Sequence, residues 1–208
     1  MNFVVLFRLA EQRDGEEMTR KAIPGQRREQ LITAAFETIG DVGLAGVTLS
    51  QVASQAGMST GIVSHYFGDK EGLLNATMRR ILRDLHDAVA AQRAAAAPSP
   101  QAQLFAIIEG NFHASQTSGT SMRAWLDFWA ASLHRPELRR LQRVNDHRLF
   151  SNICCQFRRE LSRDEARKAA RGLAAMIDGL WLRGSLTGLD FNARKASEIA
   201  FDYVESKL

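Results

Sequence analysis

Cysteine, proline and uninterrupted apolar runs are all scarce in this chain, and each scarcity removes a class of protein. The two cysteines, Cys154 and Cys155, are sequence neighbours, poorly placed to pair with each other and unable to supply a disulfide framework or a spaced zinc site. A reducing compartment is therefore expected. No segment approaches ~20 consecutive apolar residues, so no bilayer span and no membrane partner are expected. The apolar start, Asn2 to Leu9, is short, contains Arg8 and runs straight into Glu11, Arg13, Asp14, Glu16 and Glu17, unlike a secretory signal. A soluble, cytoplasmic chain is the expectation. Met18 opens a basic run (Arg20, Lys21, Arg27, Arg28) and is the expected native start, with residues 1–24 read as an unstructured leader.

Acidic excess is also missing. The formal net charge is +4, which invites a nucleic-acid reading, yet its location weakens it. Residues 18–70 hold five Lys/Arg against four Asp/Glu, whereas residues 135–171 hold eleven against five. Bulk charge points to the second half, so any case for DNA must rest on local pattern.

With β-branched alternation absent and glycine and proline sparse, apolar residues recur at three- and four-residue steps almost throughout, the period of a helix. An all-α chain follows. The first helix is expected from about Gln26 to Val42, burying Leu31, Ile32, Ala35, Phe36 and Ile39 and ending at Gly43. Short helices are expected at 49–55 and 60–66. Asp69 caps a long fourth helix carrying Leu73, Leu74, Ala76, Thr77, Ile81, Leu85 and Val89, before a connector at Pro98-Ser99-Pro100. Further helices are expected at about 101–116, 120–134, 136–160, 163–186 and 193–206, the fourth of these opened by a Ser162/Glu165 capping box. The division expected is residues 25–85 as a DNA-binding domain and 86–208 as a regulatory and dimerisation domain.

Two short helices crossing steeply need a small residue at the crossing, a glycine at the turn and apolar residues where they pack. Ala53, Gly57 and the set Leu49, Val52, Ala56, Met58, Val63 and Tyr66 supply these in register, so Thr48 to Phe67 is a helix-turn-helix. Ser59 stands where a hydroxyl can cap the second helix. At 100° per residue Thr60, Ser64, Gly61 and His65 share one arc, while Ile62, Tyr66 and Val63 take the opposite one and face the core. The outward arc carries small polar groups and one imidazole, suited to close entry into a major groove. The candidate DNA-binding residues are Arg27, Arg28, Thr48, Ser59, Thr60, Gly61, Ser64, His65, Tyr66 and Lys70, Tyr66 being the one on the inward arc.

Gly57-Met58-Ser59-Thr60-Gly61 also satisfies the Gly-x-Ser-x-Gly nucleophile elbow. That elbow needs a buried strand before it, and Val52 to Ala56 reads as helix. No metal cluster or phosphate loop offers another chemistry, so neither an enzyme nor a cofactor is expected.

Thr48 to Leu74 (TLSQVASQAGMSTGIVSHYFGDKEGLL) resembles the tetracycline-repressor (TetR) family of regulators. Many members place a phosphate-contacting tyrosine where this chain has Ser64. The string Ser59 to Phe67, together with Ala124 to Ala130 (AWLDFWA), Phe157 to Leu161 (FRREL), Gly172 to Ala175 and Ile177 to Arg183 (IDGLWLR), is similar to a narrower group, the choline-responsive repressors of glycine betaine synthesis. The resemblance implies a homodimer on double-stranded, inverted-repeat operator DNA and a small-molecule effector, choline.

A quaternary ammonium has no N–H to donate, so it must be held by aromatic faces, to which a carboxylate can add. Trp125, Phe128 and Trp129 stand at i, i+3 and i+4, and Asp178 is three residues from Trp181. Glu109, Phe112 and His113 are candidates for the facing helix. Against this, aromatic stripes at helical spacing usually form core, and Asp127 points about 200° from Trp125, towards solvent or towards Arg123 or Arg135. A TetR-family repressor answering a different hydrophobic or cationic effector is the alternative. The resemblance assigns dimerisation to helices 163–186 and 192–207, where Ala169, Ala170, Ala174 and Gly184 permit close approach and Leu173, Ile177, Phe201 and Val204 add apolar area.

Overall fold

A computed structural model describes the backbone of residues 3–187 and 191–208 and the side chains of residues 25–187 and 191–208. Among these residues there are ten helices and no strand. They are α1 (Phe3–Gly46), α2 (Leu49–Gln55), α3 (Thr60–Phe67), α4 (Lys70–Ala95), α5 (Pro100–Asn111), α6 (Ala114–Thr117), α7 (Gly119–Ser132), α8 (Pro136–Phe157), α9 (Arg163–Leu186) and α10 (Ala193–Glu205). None of the described helices is long and apolar enough to cross a membrane.

The backbone of α1 is helical from Phe3, where an unstructured leader was expected; within it the run Arg8 to Arg13 (RLAEQR) consists of good helix formers. The side chains of Arg20 and Lys21 lie outside the described residues. Downstream, α1 buries Leu31, Ile32, Ala35 and Ile39 and breaks at Gly43, whose φ of 74° and ψ of 161° are non-helical. The helix expected over 101–116 is two. The Asn111 side chain donates back to the Ile107 carbonyl at 2.8 Å, and His113 Nδ1 accepts from Ser115 N at 3.2 Å to start α6. The expected caps at Asp69 and Ser162 are present, and Ser162 with Glu165 forms a capping box.

One continuous core joins the helices, from Leu31 and Val63 in the first segment to Phe128, Phe157 and Leu173 in the second. Two close crossings set its geometry. A Cβ at Gly110 would meet the Val89 backbone, which fixes α5 against α4, and one at Gly40 would meet the Thr120 side chain, which fixes α1 against α7.

The small residues assigned to a dimer face are used inside the subunit instead. Ala169, Ala170, Leu173, Ile177, Gly184 and Val204 are buried within the single chain, and Ala174 and Phe201 are half-buried. Gly172 and Gly184 accommodate Tyr203 and Phe191, and Phe201 stacks on Phe105 at 4.2 Å. The apolar residues left exposed on α9 and α10 are Ala175, Leu182, Leu186 and Ile199.

Candidate nucleic-acid interface and effector cavity

Thr48 begins the helix-turn-helix with a reciprocal cap. Its Oγ1 accepts from Gln51 N at 3.2 Å while Gln51 Oε1 accepts from Thr48 N at 2.8 Å. At the far end of α2, Met58 N donates to Ala53 O at 2.8 Å and Gly57 N to Ser54 O at 3.1 Å, with Gly57 at φ 64°. This is a Schellman turn, and it explains why glycine stands at 57. Ala53 and Val63 are buried where the two helices meet. Ser59 occupies the N-cap of α3, yet its side chain makes no cap bond, contrary to expectation, so its hydroxyl stays exposed. Extended backbone at Ser59 lets its carbonyl serve Ile62 N instead.

The predicted arcs hold with one shift. Thr60, Gly61 and His65 are exposed and Val63 is buried, but Ser64 is half-buried at the edge of the arc. A Cβ at Gly61 would meet nothing nearer than Ser59 Oγ at 3.8 Å, so packing does not demand glycine there. Tyr66 is half-buried against the core and edge-on to His65 at 5.4 Å. It lies on the packing side, as its phase requires.

Three basic residues surround this head. Arg27 is exposed, Arg28 lies over the Phe67 ring at 5.3 Å, and Lys70 Nζ donates to Ala45 O at 2.8 Å. Arg28 and Lys70 are thereby positioned by the head's own framework.

In the second half, Leu85, Asn111, Gln116, Trp125, Trp129, Asn145, Leu149, Ile177, Asp178 and Trp181 surround a cavity that opens to solvent at its mouth. Four of these were legible as candidates: Trp125, Trp129, Asp178 and Trp181. The tryptophans form a triangle, with ring centroids 6.2 Å apart for Trp125–Trp129, 6.3 Å for Trp125–Trp181 and 5.1 Å for Trp129–Trp181. Trp125 is fixed by a buried bond from its Nε1 to Gln116 Oε1 at 3.0 Å.

The Asp178 carboxyl is crowded by the cavity wall on one side and open to solvent on the other. That crowding, with the negative charge of Asp146 adding to it, pushes its pKa up to about 6. At neutral pH the group is ionised and lacks a cationic partner among the described residues. An ionised carboxylate beside three indole faces is suited to a cation with an apolar surface.

Four expected lining residues are elsewhere. Glu109 is exposed, because Asn111, about 200° away on the same helix, is the one that faces the cavity. Phe112 is buried against Phe191 at 6.0 Å, and Phe128 backs Trp125 edge-on at 5.7 Å from the core side. His113 is the exposed cap of α6. Sequence reasoning missed Leu85, Asn111, Gln116, Asn145 and Leu149, and it assigned Ile177 to the dimer face. Asn145 carried a signal, since it interrupts the i, i+4 row of Leu141 and Leu149 on α8; Gln116 carried none. Asp127 pairs with neither arginine: its Oδ2 accepts from Leu44 N at 2.6 Å, while Arg135 pairs with Glu71 at 2.9 Å.

A capped helix-turn-helix with a bare outward arc, joined to a helical body around an aromatic cavity, defines a DNA-binding transcriptional regulator. The chain belongs to the tetR family of bacterial regulatory proteins, whose model matches residues 31–77, and residues 100–208 match the C-terminal domain of BetI-type transcriptional repressors. It is 60% identical over 191 residues to the HTH-type transcriptional regulator BetI of Stenotrophomonas maltophilia, covering 92% of this chain and 97% of that one. Identity to BetI of Pseudomonas aeruginosa PAO1 is 58%, over 88% of this chain and 93% of that one. Among solved structures, a transcriptional regulator from Saccharomonospora viridis in complex with choline superposes with a TM-score of 0.76 at 22% identity, covering 87% of this chain and 96% of the other. A TetR regulator from Haloarcula marismortui gives 0.78 at 19%, covering 88% and 98%. The chain is thus a regulator and not an enzyme, and the Gly57–Gly61 elbow string is the turn after α2 and the first two residues of α3.

Proposed function

We propose that this regulator represses genes of choline-to-glycine betaine synthesis and that choline, bound in the tryptophan cavity, alters its hold on an inverted-repeat operator. The observation that carries this reading is the convergence of Trp125, Trp129, Trp181 and Asp178 on one cavity. A trimethylammonium group has no proton to donate, so aromatic faces and a fixed negative charge are the means available to a protein for holding it. The choline bound by the Saccharomonospora protein points the same way, and the match to BetI-type transcriptional repressors supports repression.

On the DNA side, Thr60, Gly61, Ser64 and His65 enter the major groove, with Arg27, Arg28, Lys70, Thr48 and Ser59 facing phosphates and Tyr66 bracing His65. Two copies associate through the outer face of α9 and α10. There Ala175, Gly179, Leu182 and Leu186 recur at four- and three-residue steps, and a Cβ at Gly179 would meet nothing in the single chain. The two-fold axis then sets the half-site spacing.

Effector and operator are linked through unequal affinity for two arrangements of the helices. α4 joins them directly: Leu85 lines the cavity and Asp69 caps the helix immediately after α3, about 24 Å away along the axis. Calorimetry on the full chain tests the reading with choline, betaine aldehyde, glycine betaine and a bulky lipophilic cation. Saturable choline binding is expected. Binding of the lipophilic cation alone would identify a regulator with a different effector.

A further inference from the structure

Hydrogen bonds on the cavity wall are distributed unevenly. Trp125 Nε1 is satisfied by Gln116, the Gln116 amide donates to Ser115 Oγ at 3.2 Å, and the Asn111 amide donates to the Ile107 carbonyl. Trp129 differs. Its Nε1 is buried and finds no acceptor among the described residues, although its ring lines the same cavity. The other two buried polar atoms without partners, Asn75 Oδ1 and Gln142 Oε1, belong to residues outside that wall.

A buried donor without an acceptor is rare and costly in folded proteins. Indole N–H is donor only, so whatever completes it must bring an oxygen lone pair. It also lies in the ring plane, whereas a cation sits over the ring face, so one atom cannot take both interactions from Trp129. The cavity therefore fits a molecule with two ends. Since Asp178 and Asp146 make the surroundings negative, a neutral oxygen suits the second end better than a carboxylate.

We infer that Trp129 is a specificity-determining residue whose indole N–H binds a neutral hydroxyl or carbonyl oxygen on the effector, separating oxygen-bearing trimethylammonium compounds from alkylammonium ions of the same shape. This inference rests on the cavity being the effector site. Choline and ethyltrimethylammonium differ only by the hydroxyl, so calorimetry of both against the wild-type chain measures the discrimination. Choline is expected to bind about tenfold more tightly, and Trp129→Phe should bring the two ligands within about twofold of each other while weakening both.

A second readout uses the unmodified chain. The three tryptophans give three indole N–H resonances, assignable by Trp→Phe substitution at each in turn. The Trp129 signal should move downfield with choline and not with ethyltrimethylammonium. Equal wild-type affinities, a discrimination that survives Trp129→Phe, or a Trp129 resonance responding alike to both ligands would overturn the inference while leaving the cation site standing. Absence of binding by either ligand would instead remove the cavity as the effector site.

Discussion

The backbone N–H of Leu44 donates to the Asp127 carboxylate at 2.6 Å, tying the chain just past the α1 kink to the middle of α7. Asp127 sits between Trp125 and Trp129 on that helix, so one short segment carries both the cavity wall and a hold on the reading head. Gly43 leaves room for the contact: a Cβ there would stand 3.0 Å from Asp127 Oδ2.

Asp127→Ala leaves the buried Leu44 N–H without an acceptor, a loss of about 1–3 kcal/mol in stability. Choline affinity should change less than twofold, because Asp127 is not on the cavity wall, while the effect of choline on operator binding should shrink severalfold. Asp127→Asn retains a carbonyl acceptor and should recover most of both. Chemical denaturation and operator titrations with and without choline make the comparison, and equal behaviour of the two variants would contradict the coupling role.

Asp178 gives choline binding a pH signature. Its pKa of about 6 is raised by burial and then by Asp146, so the carboxylate is charged above that value and neutral below it. The charged form attracts a cation; affinity should therefore be full at pH 7.5 and fall roughly tenfold by pH 5. An unperturbed carboxylate would keep its charge to near pH 4. Calorimetry across this range should show the fall in the wild type and a flat profile in Asp178→Asn; a wild-type profile flat to pH 5 would refute the assignment.

His65 is exposed on the reading arc, with its ring braced by Tyr66. Replacing it with alanine should weaken operator binding by about 1–3 kcal/mol and leave binding to unrelated duplex nearly unchanged. Competition gel shifts distinguish this from a phosphate contact, which would weaken both alike and flatten the salt dependence.

Leu186 is 71% exposed and Leu182 38% exposed, a pair of apolar side chains on one face of α9. Arginine at both positions should convert a dimer to monomers in sedimentation and lower operator affinity by more than tenfold, with choline binding retained. A wild-type chain that sediments as a monomer at micromolar concentration would remove the dimer reading.

How far the sequence could be read depended on the range of the interactions. Ala53, Gly57 and the caps at Thr48, Asp69 and Ser162 act within a few residues, so the helix-turn-helix and the helix starts were legible. Trp125, Trp129, Asp178 and Trp181 were legible because helical phase groups them. Glu109, Phe112 and Phe128 were misplaced because the rotation of α5 is set by packing against α4 and α10, and the depth of α7 by packing against α1, α8 and α9. The partner of Asp127 was illegible for the same reason: Leu44 lies 83 residues away in sequence. Ala169, Ala170 and Gly184 show that small residues on a helix face declare close packing without declaring with whom.

The central claim is that the tryptophan–aspartate cavity governs operator affinity. Operator binding to the promoter region upstream of this gene, measured with and without saturating choline for the wild type and Asp178→Asn, tests it most directly. Choline should shift the wild-type dissociation constant by at least about fivefold and leave that of Asp178→Asn within twofold of its ligand-free value. The same choline shift in both proteins, or none in the wild type, would contradict the account.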